Sequence, residues 1–286
     1  MSTLLIYDYD FNFKLAERQV ISIRYKENFC DWGTFEAVLS ANSPVLKILL
    51  EEKFLLVRYD YMQAVIVGYE LQDNLIIYGR TPGWLFSKRA VSPFEKSASA
   101  SEICRAIVSE LYPATISLGE TVSGNSIDVK YEEITRLDKC IEEILKNAGL
   151  GWRLRFDARA KQWIFDIYDK SDRGICLGEG YKNAYDTRIC SDILDYAVAA
   201  VYNSENGVIR TKTGDMTCFE EICESQDKLG KVKNECSLML KTDVNLGEDV
   251  RIKIVRGDNR ITLKKRVDSL ETNIKNGIKT VSPILV

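Results

Sequence analysis

Short runs in which apolar and polar residues alternate recur through the first third of the chain, and each run ends in turn residues. In residues 30–40, Trp32-Gly33 indicates a bend, and from Phe35 onward apolar side chains occupy every second position. An alternation of period two is typical of strands that bury one face. The repeated pattern predicts that residues 1–92 form a compact, mostly β unit with one short helix.

Three segments carry signals for the start of a helix. These signals are an N-cap residue followed by proline, or a Ser/Thr capping box with an acid three residues later. They occur at Ser43-Pro44, at Ser99 with Glu102, and at Thr135 with Asp138. The third helix is predicted to end at Gly149, which suits a left-handed C-cap.

A hairpin is predicted after the third helix, because "GWRLRFD" and "KQWIFDIYD" are strand-like and flank a short turn. Residues 93–175 should therefore form an α+β insert of helix, helix and hairpin. Strand-like patterns return in residues 176–286. The predicted fold class is α+β, mostly β, with the chain divided into 1–92, 93–175 and 176–286.

Histidine is absent from all 286 residues. Its absence excludes Ser-His-Asp and Cys-His nucleophilic catalysis and His-ligated metal catalysis. The eight cysteines are dispersed without C-x-x-C spacing, so we expect free thiols and neither a metal site nor a disulfide framework. No cofactor is indicated. Chemistry that uses carboxylates alone, as in many glycosidases, remains open.

The chain shows no run of about 18 apolar residues that could span a membrane. Its start, "MSTLLIYDYDFNFK", lacks the features of a secretory signal, so we expect synthesis and assembly in a cytoplasm. Residues 251–286 contain nine Lys or Arg and three acids, a local balance of +6. These charges are spread through strand-like runs, which favours a solvated or subunit-facing surface over a nucleic-acid site, and no sequence-specific nucleic-acid binding is expected.

Four short motifs follow one another along these segments. They are Gly33-x-Phe35-Glu36; Gly79-Arg80 with Leu85 and Arg89; Gly149-x-Gly151-x-Arg153; and Asp172-Arg173. In this order, the set resembles the hub proteins of siphophage tail tips. Those proteins are similar to the central hub of contractile-tail baseplates, including late control protein D. The resemblance covers most of the chain.

The resemblance implies two small β-barrel-like hub domains with the α+β part inserted. It implies a homotrimer that forms a ring and adapts the tail tube to a central spike or fibre. The implied partners are the distal tail or tail tube protein, the tape measure protein and the spike or fibre protein, in the virion tail of a phage or a phage-tail-like bacteriocin. No catalytic residue belongs to the family core, so the implied role is structural and not enzymatic.

Ten residues are candidates for structural or interface roles. They are Trp32, Gly33, Phe35, Arg80, Trp84, Arg89, Trp152, Arg153, Asp172 and Arg173. The four tryptophans, including Trp163, lie near predicted strand ends, where aromatic side chains cap a core or anchor an interface.

Two alternatives to a structural hub remain. One is a tail-tip cell-wall hydrolase that uses Asp or Glu carboxylates, although adjacent acids such as Glu142-Glu143 diverge and no pair is singled out. The other is nucleic-acid binding by residues 251–286, which would depend strongly on salt.

Overall fold

The computed structural model describes residues 3–112, 115–122, 126–192, 199–204, 207–212, 220–222, 233–256 and 259–286. The first part of the chain forms seven strands and one helix. Their bounds are β1 Leu4–Asp8, β2 Phe13–Glu17, β3 Val20–Asn28, β4 Thr34–Ser40, α1 Val45–Glu51, β5 Leu55–Tyr59, β6 Met62–Leu71 and β7 Asn74–Arg80. A 3₁₀ helix, Pro82–Lys88, then leads into the insert.

The insert contains the predicted two helices and hairpin, together with short strands that tie them to one another. Its elements are β8 Ala90–Val91, β9 Phe94–Ser99, α2 Ala100–Leu111, β10 Ile116–Leu118, β11 Ser126–Tyr131, β12 Thr135–Arg136, α3 Leu137–Asn147, β13 Leu150–Asp157 and β14 Gln162–Asp169. Within the described ranges, no helix combines the length and the hydropathy that a membrane crossing requires.

The last part of the chain is again mostly β. It contains β15 Ile175–Leu177, a 3₁₀ helix Glu179–Tyr181, β16 Ala184–Asp192, β17 Ala199–Ser204, β18 Gly207–Lys212, β19 Glu220–Ile222, β20 Lys233–Leu240, β21 Asp249–Arg256, β22 Asn259–Lys275 and β23 Ile278–Leu285. The pattern of residues 226–241 fits a helix as well as a strand. Their later part is strand β20, and 226–232 lie outside the described residues.

One large sheet joins the first and last parts of the chain. Its strands follow the order β16-β20-β23-β22-β3-β4-β7-β6-β5-β1-β2, and β21 and β15 extend it from β22. The junction is β22, which pairs with β21 as far as Arg266 and with β3 from Ser269 onward. The predicted fold class, α+β and mostly β, is confirmed. Pairing among the described strands does not close into a ring, because the path ends at β2 and at β16.

Buried apolar side chains form three clusters that follow the three parts of the chain. One lies within the first sheet, where Leu4, Phe35 and Ile77 are at most 2% exposed. The largest holds the insert together and reaches the outer side of β1, β5 and β6. The third lies among the last strands around Val250 and Val267. The boundaries near residues 92 and 175 stay a prediction.

The helix starts agree with the sequence at one site and differ at two. Ser99 and Glu102 form the predicted reciprocal capping box of α2. Helix α1 begins one residue later than predicted, with Pro44 at the N-cap. The predicted box at the start of α3 is wrong. Its N-cap is Arg136, which makes no side-chain cap hydrogen bond, and the carboxylate of Asp138 accepts hydrogen bonds from the side chains of Trp32 and Arg136.

Candidate assembly site

The turn before β4 is locked to the end of β7 at Gly33. The Gly33 N–H donates to Thr81 Oγ1 over 2.6 Å, and the Thr81 N–H donates to the Gly33 carbonyl over 3.1 Å. A β-carbon at this position would lie 1.7 Å from the carbonyl oxygen of Lys26. Only glycine allows so close an approach of two backbone segments. Phe35, two residues on, is 2% exposed and belongs to the core of the first sheet.

Trp32 connects this turn to helix α3. The guanidinium of Arg80 lies over its ring, 5.3 Å from the centroid. Its Nε1–H donates to Asp138 Oδ2 over 3.2 Å, and Arg136 Nε donates to Asp138 Oδ1 over 3.0 Å. Burial would raise the pKa of Asp138, but the hydrogen bonds from Arg136 and Trp32 outweigh it and lower that pKa. The carboxylate therefore stays ionised and joins three elements.

Trp152, on β13, fastens the hairpin of the insert to the same turn. The side chain is 1% exposed, and its Nε1–H donates to the carbonyl of Cys30 over 3.1 Å. Its backbone N–H donates to the carbonyl of Phe29, also over 3.1 Å. The indole stacks on Phe86 with ring centroids 5.6 Å apart. Trp152 is thus buried within the chain, as is Trp163, which is 3% exposed, and the core-or-interface role of the tryptophans stays a prediction.

Arg153 belongs to a second buried carboxylate cluster. Arg153 Nε and Arg155 Nε donate to Asp166 Oδ2 over 2.9 and 2.7 Å, and the backbone N–H of Glu120 donates to Oδ1 over 3.1 Å. Asp166 has no exposed surface. Burial would raise its pKa, but the hydrogen bonds from Arg155 and Arg153 outweigh that effect and lower the pKa. The cluster ties the two strands of the hairpin together.

The Asp172-Arg173 motif joins the insert to the last part of the chain. Arg173 Nη2 donates to Glu248 Oε2 over 2.6 Å, and its Nε donates to Oε1 of the same carboxylate. Glu248 is fully buried and also accepts the backbone N–H of Asn245. Asp172 Oδ1 accepts the N–H of Gly174 and shapes the turn before β15. The motif therefore acts as a bidentate clamp across 75 residues of sequence.

Between these contacts lies a cleft of about 860 Å³ with walls from all three parts of the chain, hereafter the central cleft. Trp32, Trp152 and Arg153 line it, as do Glu27 and Asp31. Burial raises the pKa of both Glu27 and Asp31. The described residues contain no group of three or more acids or cysteines that could hold a metal ion.

Two further candidates, Trp84 and Arg89, lie in a different cavity of about 660 Å³, hereafter the aromatic groove. We define this groove by its aromatic residues Tyr9, Phe54, Trp84, Phe86, Tyr112 and Trp163 and by the two cations at its rim, Lys88 and Arg89. Lys88 Nζ lies 4.7 Å from the centroid of the Trp84 ring, and the Arg89 guanidinium lies 5.1 Å from that of Tyr112. Of the ten candidates, Phe35 lies in the core of the first sheet, Asp172 and Arg173 form the clamp, and Trp84 and Arg89 line the aromatic groove. The other five belong to the contacts around the central cleft: Trp32, Gly33, Arg80, Trp152 and Arg153.

The described cysteines with assigned burial are free thiols, and three of them, Cys104, Cys140 and Cys236, are buried. Burial raises the pKa of Cys30 to about 12 and that of Cys140 to about 11, so both thiols stay protonated and unreactive at neutral pH. Cys218 and Cys223, the closest pair in sequence, lie outside the described residues.

Sequence reasoning missed the three buried carboxylates that organise these contacts: Asp138, Asp166 and Glu248. Asp166 carried a usable signal, because it interrupts the apolar run "WIFDIY". Asp138 was assigned to a capping box. Glu248 carried no local signal, since its partner is far away in sequence.

Comparisons with known proteins agree with this architecture. Residues 114–217 match the family described as "Siphovirus ReqiPepy6 Gp37-like protein". No curated protein matches the chain by sequence. The 43 kDa tail protein of prophage MuSo2 from Shewanella oneidensis is similar with a TM-score of 0.64 at 8% identity, over 99% of this chain and 97% of that one.

Two other solved structures extend the comparison. The tail protein of Neisseria meningitidis MC58 has a TM-score of 0.61 at 11% identity, over 99% of this chain and 95% of that one. The E. coli c3393 protein is described as a type VI secretion component similar to the T4 tail proteins gp27 and gp5. It has a TM-score of 0.51 at 11% identity, over 94% of this chain and 73% of that one. The chain therefore has the fold of phage tail proteins, as the resemblance in its sequence predicts.

Proposed function

We propose that this chain is a structural tail-hub protein. In this proposal three copies form a ring that adapts the tail tube to a central spike or fibre. The observation that carries the proposal is the shared fold, which extends over nearly the whole length of both this chain and the Shewanella prophage tail protein. The similarity to a secretion protein described as resembling gp27 and gp5 gives further support.

The surface of the large sheet supports a role in assembly. On the side away from the first core, β22 and β3 present polar side chains such as Glu271 and Arg24, whose Oε1 and Nε are 2.8 Å apart, and β4 and β7 add the apolar Val38 and Ile76. A face of this mixed kind suits contacts that are polar at the rim and apolar at the centre. The basic strands of 251–286 belong to the same sheet, which favours a subunit-facing role for their charges.

The proposed setting follows from the resemblance. The partners would be the distal tail or tail tube protein, the tape measure protein and the spike or fibre protein. The chain would be assembled in the host bacterial cytoplasm and would end in the tail of a phage or a phage-tail-like bacteriocin. The parts 1–92, 93–175 and 176–286 would be the first hub domain, the insert and the second hub domain.

Light scattering coupled to size exclusion tests the ring. We expect a particle of three times the 32.6 kDa chain mass at micromolar concentration. The purified protein should also bind a distal tail or tail tube protein in the same experiment. A chain that is monomeric at every concentration and binds neither partner contradicts the proposal.

A cell-wall hydrolase is the second candidate, and the central cleft is the observation that favours it. Glu27 lies there with a raised pKa, as a general acid requires, and Asp31 lines the same cleft. Zymography on peptidoglycan separates the two functions. Clearing by the wild type that is lost in Glu27→Gln or Asp31→Asn would favour the enzyme, and no clearing by the wild type would favour the structural role.

A further inference from the structure

The aromatic groove combines an apolar floor with a basic rim that lacks a counter-charge. Phe86 is fully buried at its floor, while Tyr9 at its edge is 49% exposed. Among the described residues, Lys88 and Arg89 contact aromatic rings and form no ion pair with a carboxylate. A cavity of this size and composition suits apolar side chains that are accompanied by negative charge.

The hairpin between β6 and β7 has the complementary character. Tyr69 and Leu71 are 39% and 47% exposed, and because they are two residues apart on a strand they point to the same side. Glu70 lies between them, and Asp73 is in the exposed turn. We name residues 69–73 the hairpin tip. It carries two acids and no basic residue.

The pairing of β6 explains why these apolar side chains are exposed. Strand β5 pairs with β6 only as far as Leu56 and Val65, and the register shifts between Ile66 and Gly68. Beyond this bulge, β7 is the one described neighbour of β6. An apolar strand edge without lysine or proline readily pairs with another chain. The hairpin tip is therefore built like a contact surface.

We propose that the hairpin tip of one copy docks in the aromatic groove of the next copy around the ring. This inference rests on the proposed trimeric hub. The tip precedes β7 and the groove follows it, and Asn74 and Arg80 are separated by about 20 Å of strand. Two unlike surfaces at opposite ends of one strand make a head-to-tail contact, which closes into a ring when the rotation between copies permits.

The hairpin tip and the aromatic groove are complementary in both their apolar and their charged side chains. Tyr69 and Leu71 supply the apolar anchors for the aromatic floor, and aromatic anchors commonly carry most of the energy of an interface. Asp73, in the exposed turn that follows Leu71, faces Lys88 and Arg89 at the rim, where opposite charges favour the correct partner and disfavour like-charged surfaces.

Two variants separate the halves of this contact. The hairpin variant carries Tyr69→Ser and Leu71→Ser, and the groove variant carries Lys88→Glu and Arg89→Glu. We expect each variant alone to raise the concentration at which the ring half-dissociates by at least about tenfold, the effect of losing one good anchor. An equimolar mixture should form a 1:1 dimer and no ring, because only one pairing of an intact tip with an intact groove remains.

Controls keep the outcomes distinct. Leu50→Asp, at an apolar residue of α1 that is 68% exposed, should leave the ring intact. If the hairpin variant does not fold, as judged by thermal unfolding, Asp73→Lys in the exposed turn replaces it. A trimeric wild type whose variants stay equally trimeric overturns this contact and leaves the ring standing. A wild type that is monomeric overturns both the proposed contact and the proposed ring.

Discussion

Three buried carboxylates, Asp138, Asp166 and Glu248, each bind an arginine that approaches from solvent. The side chains of the partners Arg136, Arg153 and Arg173 are 53%, 51% and 48% exposed. A buried carboxylate is costly without a partner, and a partly exposed arginine can supply two hydrogen bonds at small desolvation cost. At the scale of single residues, the Arg173–Glu248 pair joins segments 75 residues apart, whereas Arg153 and Asp166 join the two strands of one hairpin.

Replacing Arg173 tests the clamp on the last part of the chain. Arg173→Gln should lower the free energy of unfolding by about 2 kcal/mol, because removing one partner of a buried pair costs about 3–5 kcal/mol and the partial exposure of this arginine reduces the effect. Urea unfolding measures the change. Arg159→Gln, at an exposed arginine of the hairpin turn, should stay within about 0.5 kcal/mol of the wild type. Equal effects of the two substitutions would argue against the clamp.

Asp166 should make stability depend on pH in the acid range. Its pKa in the folded protein lies below the ordinary value of 3.8, so the unfolded chain takes up the proton first as the pH falls. The stabilisation is complete above the unfolded pKa and is lost as the pH falls through the folded one. The stability difference between the wild type and Asp166→Asn should therefore shrink from pH 6 to pH 3. A constant difference would contradict this account.

At the scale of elements, helix α2 depends on a local contact. Ser99 Oγ accepts the backbone N–H of Glu102 over 3.3 Å, and the Ser99 N–H donates to Glu102 Oε2 over 3.1 Å. Ser99→Ala should destabilise the protein by about 1 kcal/mol in thermal or urea unfolding. Ser109→Ala, on the exposed side of the same helix, should be neutral or slightly stabilising, because alanine is the better helix former. A destabilised Ser109→Ala would indicate that hydroxyl loss itself is harmful.

Elements were predictable from sequence where their cause is local. The capping box of α2 and the left-handed Gly149, whose φ is +71° and which follows the C-cap Ala148 of α3, depend on neighbouring residues and are as expected. The start of α3 was not predictable, because the Asp138 carboxylate binds the side chains of Trp32 and Arg136, and Trp32 is 106 residues away in sequence. The groove and the central cleft likewise depend on packing between distant segments, so the sequence yielded their tryptophans and arginines without their grouping.

At the scale of the whole molecule, β22 makes the first and last parts of the chain interdependent. A chain cut after Arg256 would lose β22 and β23 and would leave β3 as an open edge. Because open apolar edges aggregate, we expect this truncated chain to elute in the void volume on size exclusion. Asn276→Gly, which changes the turn between the two strands and keeps both complete, should elute with the wild type. A soluble truncated monomer would show that the first part is independent.

The pairing of β22 with β3 also delays the completion of the large sheet during biosynthesis. The partners Arg24 and Glu271 are 247 residues apart, so β3 leaves the ribosome long before the strand that completes it. At a translation rate of about 5–20 residues per second, the delay is roughly 12–50 s. During that interval the nascent chain holds an open edge at β3, which pairs with residues 269–275 once they are made. Incompletely translated chains are thereby kept from reaching the native fold.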